Sequence, residues 1–109
     1  MCRYDSAAIR HHADVEGLLA ARGVPSDLKA YVCLEVFNAE RPVLLVTRPE
    51  GEWCFLCGGD HPDEAASYRV VGIGHPIASD PTLGDVLDLD ADEEAERVAV
   101  GAAWMRSTL

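Results

Sequence analysis

The chain has 109 residues, nineteen Asp plus Glu against nine Lys plus Arg, a formal net charge of −10, and 49% hydrophobic residues. That length suits one domain over residues 1–109, and the apolar fraction supports a core and excludes wholesale disorder. No apolar run nears the ~20 residues of a membrane span, nothing has the pattern of an export signal, and the acidic balance excludes phosphate-backbone binding as the main activity. The expectation is a cytoplasmic protein that binds neither nucleic acid nor membrane.

The first predicted element is an amphipathic helix over 6–22, with Asp5 or Ser6 at its cap and Ile9, Ala13, Val15, Leu18 and Leu19 along one stripe. Gly23 and Pro25 end it. Three strands should follow: Tyr31 to Phe37, rich in β-branched and aromatic residues; Val43 to Thr47, apolar on both faces and so suited to the centre of a sheet; and Glu52 to Cys57. The short turn-like links between them favour an antiparallel meander. Arg69 to Gly74 reads as a fourth strand, placed at an edge by its glycines. Asp80 is a helix cap with Pro81 in the first turn, and Leu83, Val86 and Leu87 form the buried side of that helix. Residues 91–106 suit either a helix or a terminal strand by propensity, and the Ala-rich composition favours helix. The expected fold is α+β: a single antiparallel sheet of about four strands, with an N-terminal helix and C-terminal helices packed against it.

Charge is uneven along the chain. Residues 1–57 carry six basic and eight acidic groups, whereas 58–109 carry three and eleven, and the run from Asp80 to Glu96 holds eight acids and no base. Such a run is ordinarily a solvated face that keeps a protein soluble, but the same field attracts and steers a basic partner. Asp85, Asp88, Asp92, Glu93 and Glu96 are the candidate partner-binding acids, with Trp104 as an aromatic anchor for the interface or a seal for the core.

The densest reactive cluster is Cys54-Phe55-Leu56-Cys57-Gly58-Gly59-Asp60-His61. A C-x-x-C-G turn has the shape of a zinc knuckle, because glycine permits the bend and successive amides can donate to the sulfurs. His61 or His75 would complete a site with Cys54 and Cys57, and Cys33 is a further candidate. Against zinc stand the missing second C-x-x-C and strand parity, which directs Cys54 and Cys57 to opposite faces of a straight strand. The primary expectation is therefore no cofactor, with zinc as the alternative. Gly72-Ile73-Gly74 lacks the third glycine of a dinucleotide site and is better read as close packing. No G-x-S-x-G elbow occurs, and Cys57 with His61 has no identifiable orienting group, so no catalysis is expected.

Trp53, Phe55, Cys57 and Gly58, then Asp80, Pro81 and Leu83, then Arg97 and Trp104 follow a recognisable order. On these residues the stretch from about Val43 to Trp104 resembles a group of small bacterial proteins with the pattern strand, acidic turn, W-x-F-x-(C/S)-G, acidic loop, apolar strand, D-P-x-L and a closing R…W. Some members look like immunity proteins that neutralise toxins exchanged between bacteria. The resemblance implies a non-enzymatic protein whose partner is another protein, such as a basic toxin. It carries over no catalytic residue. The helix over 6–22 and His61 lie outside the pattern. The glycine-rich fourth strand, left uncovered at an edge, would also suit a homodimer.

Overall fold

The computed structural model describes Leu19, residues 23–59 and residues 65–109. Six strands form one mixed sheet: β1 (Lys29–Cys33), β2 (Leu45–Thr47), β3 (Trp53–Leu56), β4 (Tyr68–Gly72), β5 (Glu93–Glu96) and β6 (Met105–Thr108), in the spatial order β4-β1-β3-β2-β5-β6. Two short α-helices, α1 (Leu34–Phe37) and α2 (Gly74–Ser79), and 3-10 turns at Pro49–Gly51, Ala65–Ser67 and Pro81–Val86 complete the described elements.

This corrects the expected four-stranded antiparallel sheet. All neighbouring pairs are antiparallel except β1 and β3, which run parallel with Val32 opposite Phe55. The reason lies in the link after β1. The stretch read as one strand from Tyr31 to Phe37 breaks at Leu34, where the chain turns into α1 and Asn38 N–H donates to the Leu34 carbonyl at 2.8 Å. Residues 34–44 thus form a connection long enough to pass over one strand position instead of a tight hairpin. β3 folds back beside β2 and fills the gap, so β1 and β2 are not neighbours.

The C-terminal helices are the second correction. Residues 91–106, assigned to helix on propensity, hold β5 and lead through a turn into β6. Helix propensities separate ordinary residues by only a few tenths of a kcal/mol each. Here they lose to alternation and pairing: Ala95 is buried opposite Val46 on β2, and Arg97, two residues on, is buried as well. Gly101 sits at φ +86° in the turn between the two strands, a conformation suited to glycine. The helix expected over 6–22 falls outside the described residues except for Leu19, which is buried in the core.

Other local expectations match. β2 lies inside the sheet and β4 at one edge. Asp80 caps the 3-10 turn that begins at Pro81, its carboxylate accepting from Thr82 N–H at 3.0 Å, and Leu83, Val86 and Leu87 are buried. The fourth strand stops at Gly72 because Ile73 and Gly74 turn into α2. A Cβ on Gly72 would stand 2.9 Å from the Ser26 carbonyl oxygen, so close packing of two backbone segments requires glycine there. Strand alternation puts Trp53 and Phe55 on the core face, their rings stacked at 5.9 Å, with Val32, Val46 and Ala95 beside them in register. Ile73, Ile77, Leu83, Val86 and Leu89 belong to the same core. Among the described residues no helix is long and apolar enough to cross a membrane.

Candidate functional site

The acids singled out in the sequence gather around β6, at the outer edge of the described sheet. Two come from the turn that follows Pro81. Arg106, on β6, donates to the Asp88 carboxylate at 2.9 Å and to the Asp85 carbonyl at 2.8 Å. Two more come from the start of β5: Glu93 lies opposite Thr108, and the Asp92 carbonyl accepts from Leu109 N–H at 2.8 Å. Glu96, at the far end of β5, is exposed and opposite Met105. Every residue of β6 is exposed, as are the apolar side chains of Val98, Val100, Met105 and Leu109 near it.

Some of these acids also hold the local backbone. Asp92 adopts a left-handed conformation, φ +63°, and its carboxylate accepts from Glu50 N–H at 2.8 Å; Glu93 accepts from Asp90 N–H at 2.8 Å. Asp85, Asp88 and Glu96 are exposed, so their charge faces solvent. Trp104 is half-buried, and the Arg97 guanidinium lies over its ring at 4.3 Å.

That guanidinium is the centre of a network that composition and periodicity did not reveal. Its side chain is wholly buried; Nε and one terminal nitrogen donate to the Val43 carbonyl at 3.1 and 2.9 Å, the other donates to the Thr82 hydroxyl at 2.8 Å, and Asp80 is paired at 2.6 Å. Thr82 O–H in turn donates to the Asp80 carboxylate. Asp80, Arg97 and Trp104, separate parts of the motif order noted above, are thus one cluster. A buried arginine cannot shed its charge and must be paired and hydrogen-bonded. The available signal was that Arg97 ends the base-free acidic run two residues after Ala95, on the same strand face.

Beside this network lies a cleft of about 460 Å³, walled by Val36, Phe37, Pro76 and Pro81, with His75 and Asp80 among its polar lining. Its size falls within the range of small-molecule sites. The Asp80 carboxylate, however, is engaged by Arg97 and Thr82, which leaves it poorly placed to orient His75 for acid–base work.

Among the described residues, Cys54, Cys57 and His75 do not come together as one ligand group. Cys54 is half-buried in register with Tyr31 and Thr47, on the sheet face opposite Trp53 and Phe55. Cys57, just beyond β3, is buried and close to Cys33 instead. His75 sits on α2 beside the Phe37 ring, 6.4 Å between centroids, and His61 lies outside the described residues. The group that does come together is Cys33, Glu35 and Cys57, whose sulfur and carboxylate oxygen atoms lie within 4.8 Å of one another. Burial pushes the Cys33 thiol above its ordinary value, against hydrogen bonding from the backbone at Val36 and Cys57. Burial likewise raises Cys54, opposed by the Thr47 side chain.

No protein-family model, curated protein or solved structure matches the chain.

Proposed function

We propose that this chain is a small non-enzymatic binding protein of the bacterial cytoplasm that takes a basic protein partner on the side of the sheet edged by β6, in the manner of an immunity protein that neutralises a toxin. The observation that carries this reading is the gathering of Asp85, Asp88, Asp92, Glu93 and Glu96 around an exposed edge strand. A concentrated negative field speeds encounter with a cationic surface and disfavours acidic competitors. An open strand edge offers main-chain donors and acceptors to a partner, and Met105 and Leu109 add apolar area beside them. Charge would supply the approach, and the edge and its apolar flanks the residence time.

The test is capture from bacterial lysate by the wild-type chain and by a variant with Asp85→Lys, Asp88→Lys, Glu96→Lys and Asp92→Asn. Asparagine at 92 keeps a residue that tolerates the left-handed backbone there. A basic protein held by wild type at low salt, shed at high salt and bound at least about tenfold more slowly by the variant is the expected result. Binding that survives all four substitutions unchanged overturns the reading.

A further inference from the structure

The geometry points to a second, separate site: we propose that Cys33, Glu35 and Cys57 bind a thiophilic divalent cation of the zinc class where β1 and β3 leave the sheet. The site follows from topology. β1 and β3 are parallel neighbours with Val32 opposite Phe55, so Cys33, the last residue of β1, and Cys57, the first beyond β3, leave the sheet at the same end. The turn into α1 then brings Glu35 back to the pair, and all three donor atoms lie within 4.8 Å of one another. Both cysteines are buried and neither forms a disulfide, and Glu35 is half-buried, which sets the group apart from the exposed acids common on protein surfaces.

The backbone around the sulfurs supports the same assignment. Gly58, at φ +84°, turns the chain so that Gly59 N–H donates to Cys57 Sγ at 3.4 Å, the arrangement of a knuckle in which amides stabilise a metal-bound thiolate. Tetrahedral zinc with bonds of about 2.3 Å to sulfur needs about 3.8 Å between two sulfurs, so small side-chain rotations would close the group on an ion. Two sulfurs and one carboxylate favour zinc over calcium or magnesium, which prefer all-oxygen shells. Binding would displace the two thiol protons to solvent, leaving a fourth position for water or another donor.

The experiment is titration of the reduced, full-length protein with Co²⁺, followed by displacement with Zn²⁺. One equivalent of Co²⁺ should give sulfur-to-cobalt charge-transfer absorption with the visible bands of a tetrahedral site, and Zn²⁺ should abolish both. Cys33→Ser and Cys57→Ser should each lose most of the charge-transfer band. Glu35→Gln should keep the band but bind about tenfold or more weakly, the scale on which zinc sites respond to altered ligand environments. A variant with Cys2→Ser and Cys54→Ser should bind as wild type does. Wild-type protein that gives no charge-transfer band, or a band lost from the Cys2→Ser, Cys54→Ser variant, overturns the proposal. So does Glu35→Gln with undiminished affinity. The wild-type titration and Glu35→Gln decide the matter even where a cysteine variant fails to fold, and neither depends on the acidic side near β6.

Discussion

Two arginine–aspartate pairs in this protein share their chemistry and differ in almost everything else. Arg97 and Asp80 meet at 2.6 Å with side chains 0% and 18% exposed, and further bonds to Val43 and Thr82 satisfy the guanidinium; Arg106 and Asp88 meet at 2.9 Å with side chains 43% and 56% exposed. The first pair joins β5 to the residues just before β2 and to the Pro81 turn. The second ties β6 to the end of that turn at the surface. Water decides what each is worth. A buried charge deprived of its partner costs several kcal/mol, whereas an exposed pair gains little because solvent and salt replace either half.

The comparison breaks most visibly at Asp80. Asp80→Asn leaves a permanently charged guanidinium inside the protein, and the expected loss is about 3–5 kcal/mol by urea denaturation. Arg97→Met should cost less, roughly 2–3 kcal/mol, because the Asp80 carboxylate retains some access to water while the Val43 carbonyl loses its donors. Equal losses from the two variants would show that solvent access does not set the order. Arg48 is the intermediate case: it donates to the Leu89 and Gly51 carbonyls at 2.7 and 2.8 Å and lies over the Trp53 ring at 4.3 Å, so Arg48→Ala should lower stability by about 1–3 kcal/mol.

The buried thiols sharpen the contrast from the other side, since they can stay neutral. Because burial raises Cys33 and Cys54 above their ordinary values, the metal-free folded chain holds these protons at alkaline pH where the unfolded chain releases them. Stability should therefore fall as pH rises from about 8.5, the ordinary thiol value, through the raised folded values. Cys33→Ala should flatten that alkaline slope in equilibrium unfolding measured at several pH values. The smallest effect belongs to the exposed pair. A double-mutant cycle on Arg106→Ala and Asp88→Asn should give a coupling of about 0.2–1 kcal/mol that shrinks in high salt. A coupling comparable with that of Arg97 and Asp80 would remove the distinction.

Several parts of this arrangement were legible along the chain. Asp80-Pro81 declared a cap and a helical start, and alternation from Trp53 to Phe55 assigned the core face of β3. The close pair Gly72 and Gly74 marked backbone packing. The same parity rule separated Cys54 from Cys57. Other features were beyond such reading. Nothing local to Leu34 announces that β1 ends there, or that the partner of Cys57 is Cys33, twenty-four positions earlier, rather than Cys54. Glu93–Glu96 carries helix-forming residues and becomes a strand because β2 on one side and β6 on the other complete its ladder.

The sequence by itself determined the charge of the surface, most strand segments, the capped turn at Asp80 and the face each side chain of β3 takes. These depend on steric, capping and solvation preferences expressed within a few residues. Only the tertiary structure decided that β3 inserts between β1 and β2, that Arg97 is buried on Asp80, and that Cys33, Glu35 and Cys57 converge. Each of those outcomes requires residues far apart in the chain to be brought together. Pairing and burial reward the arrangement only once loop closure has been overcome, and no local preference encodes that balance.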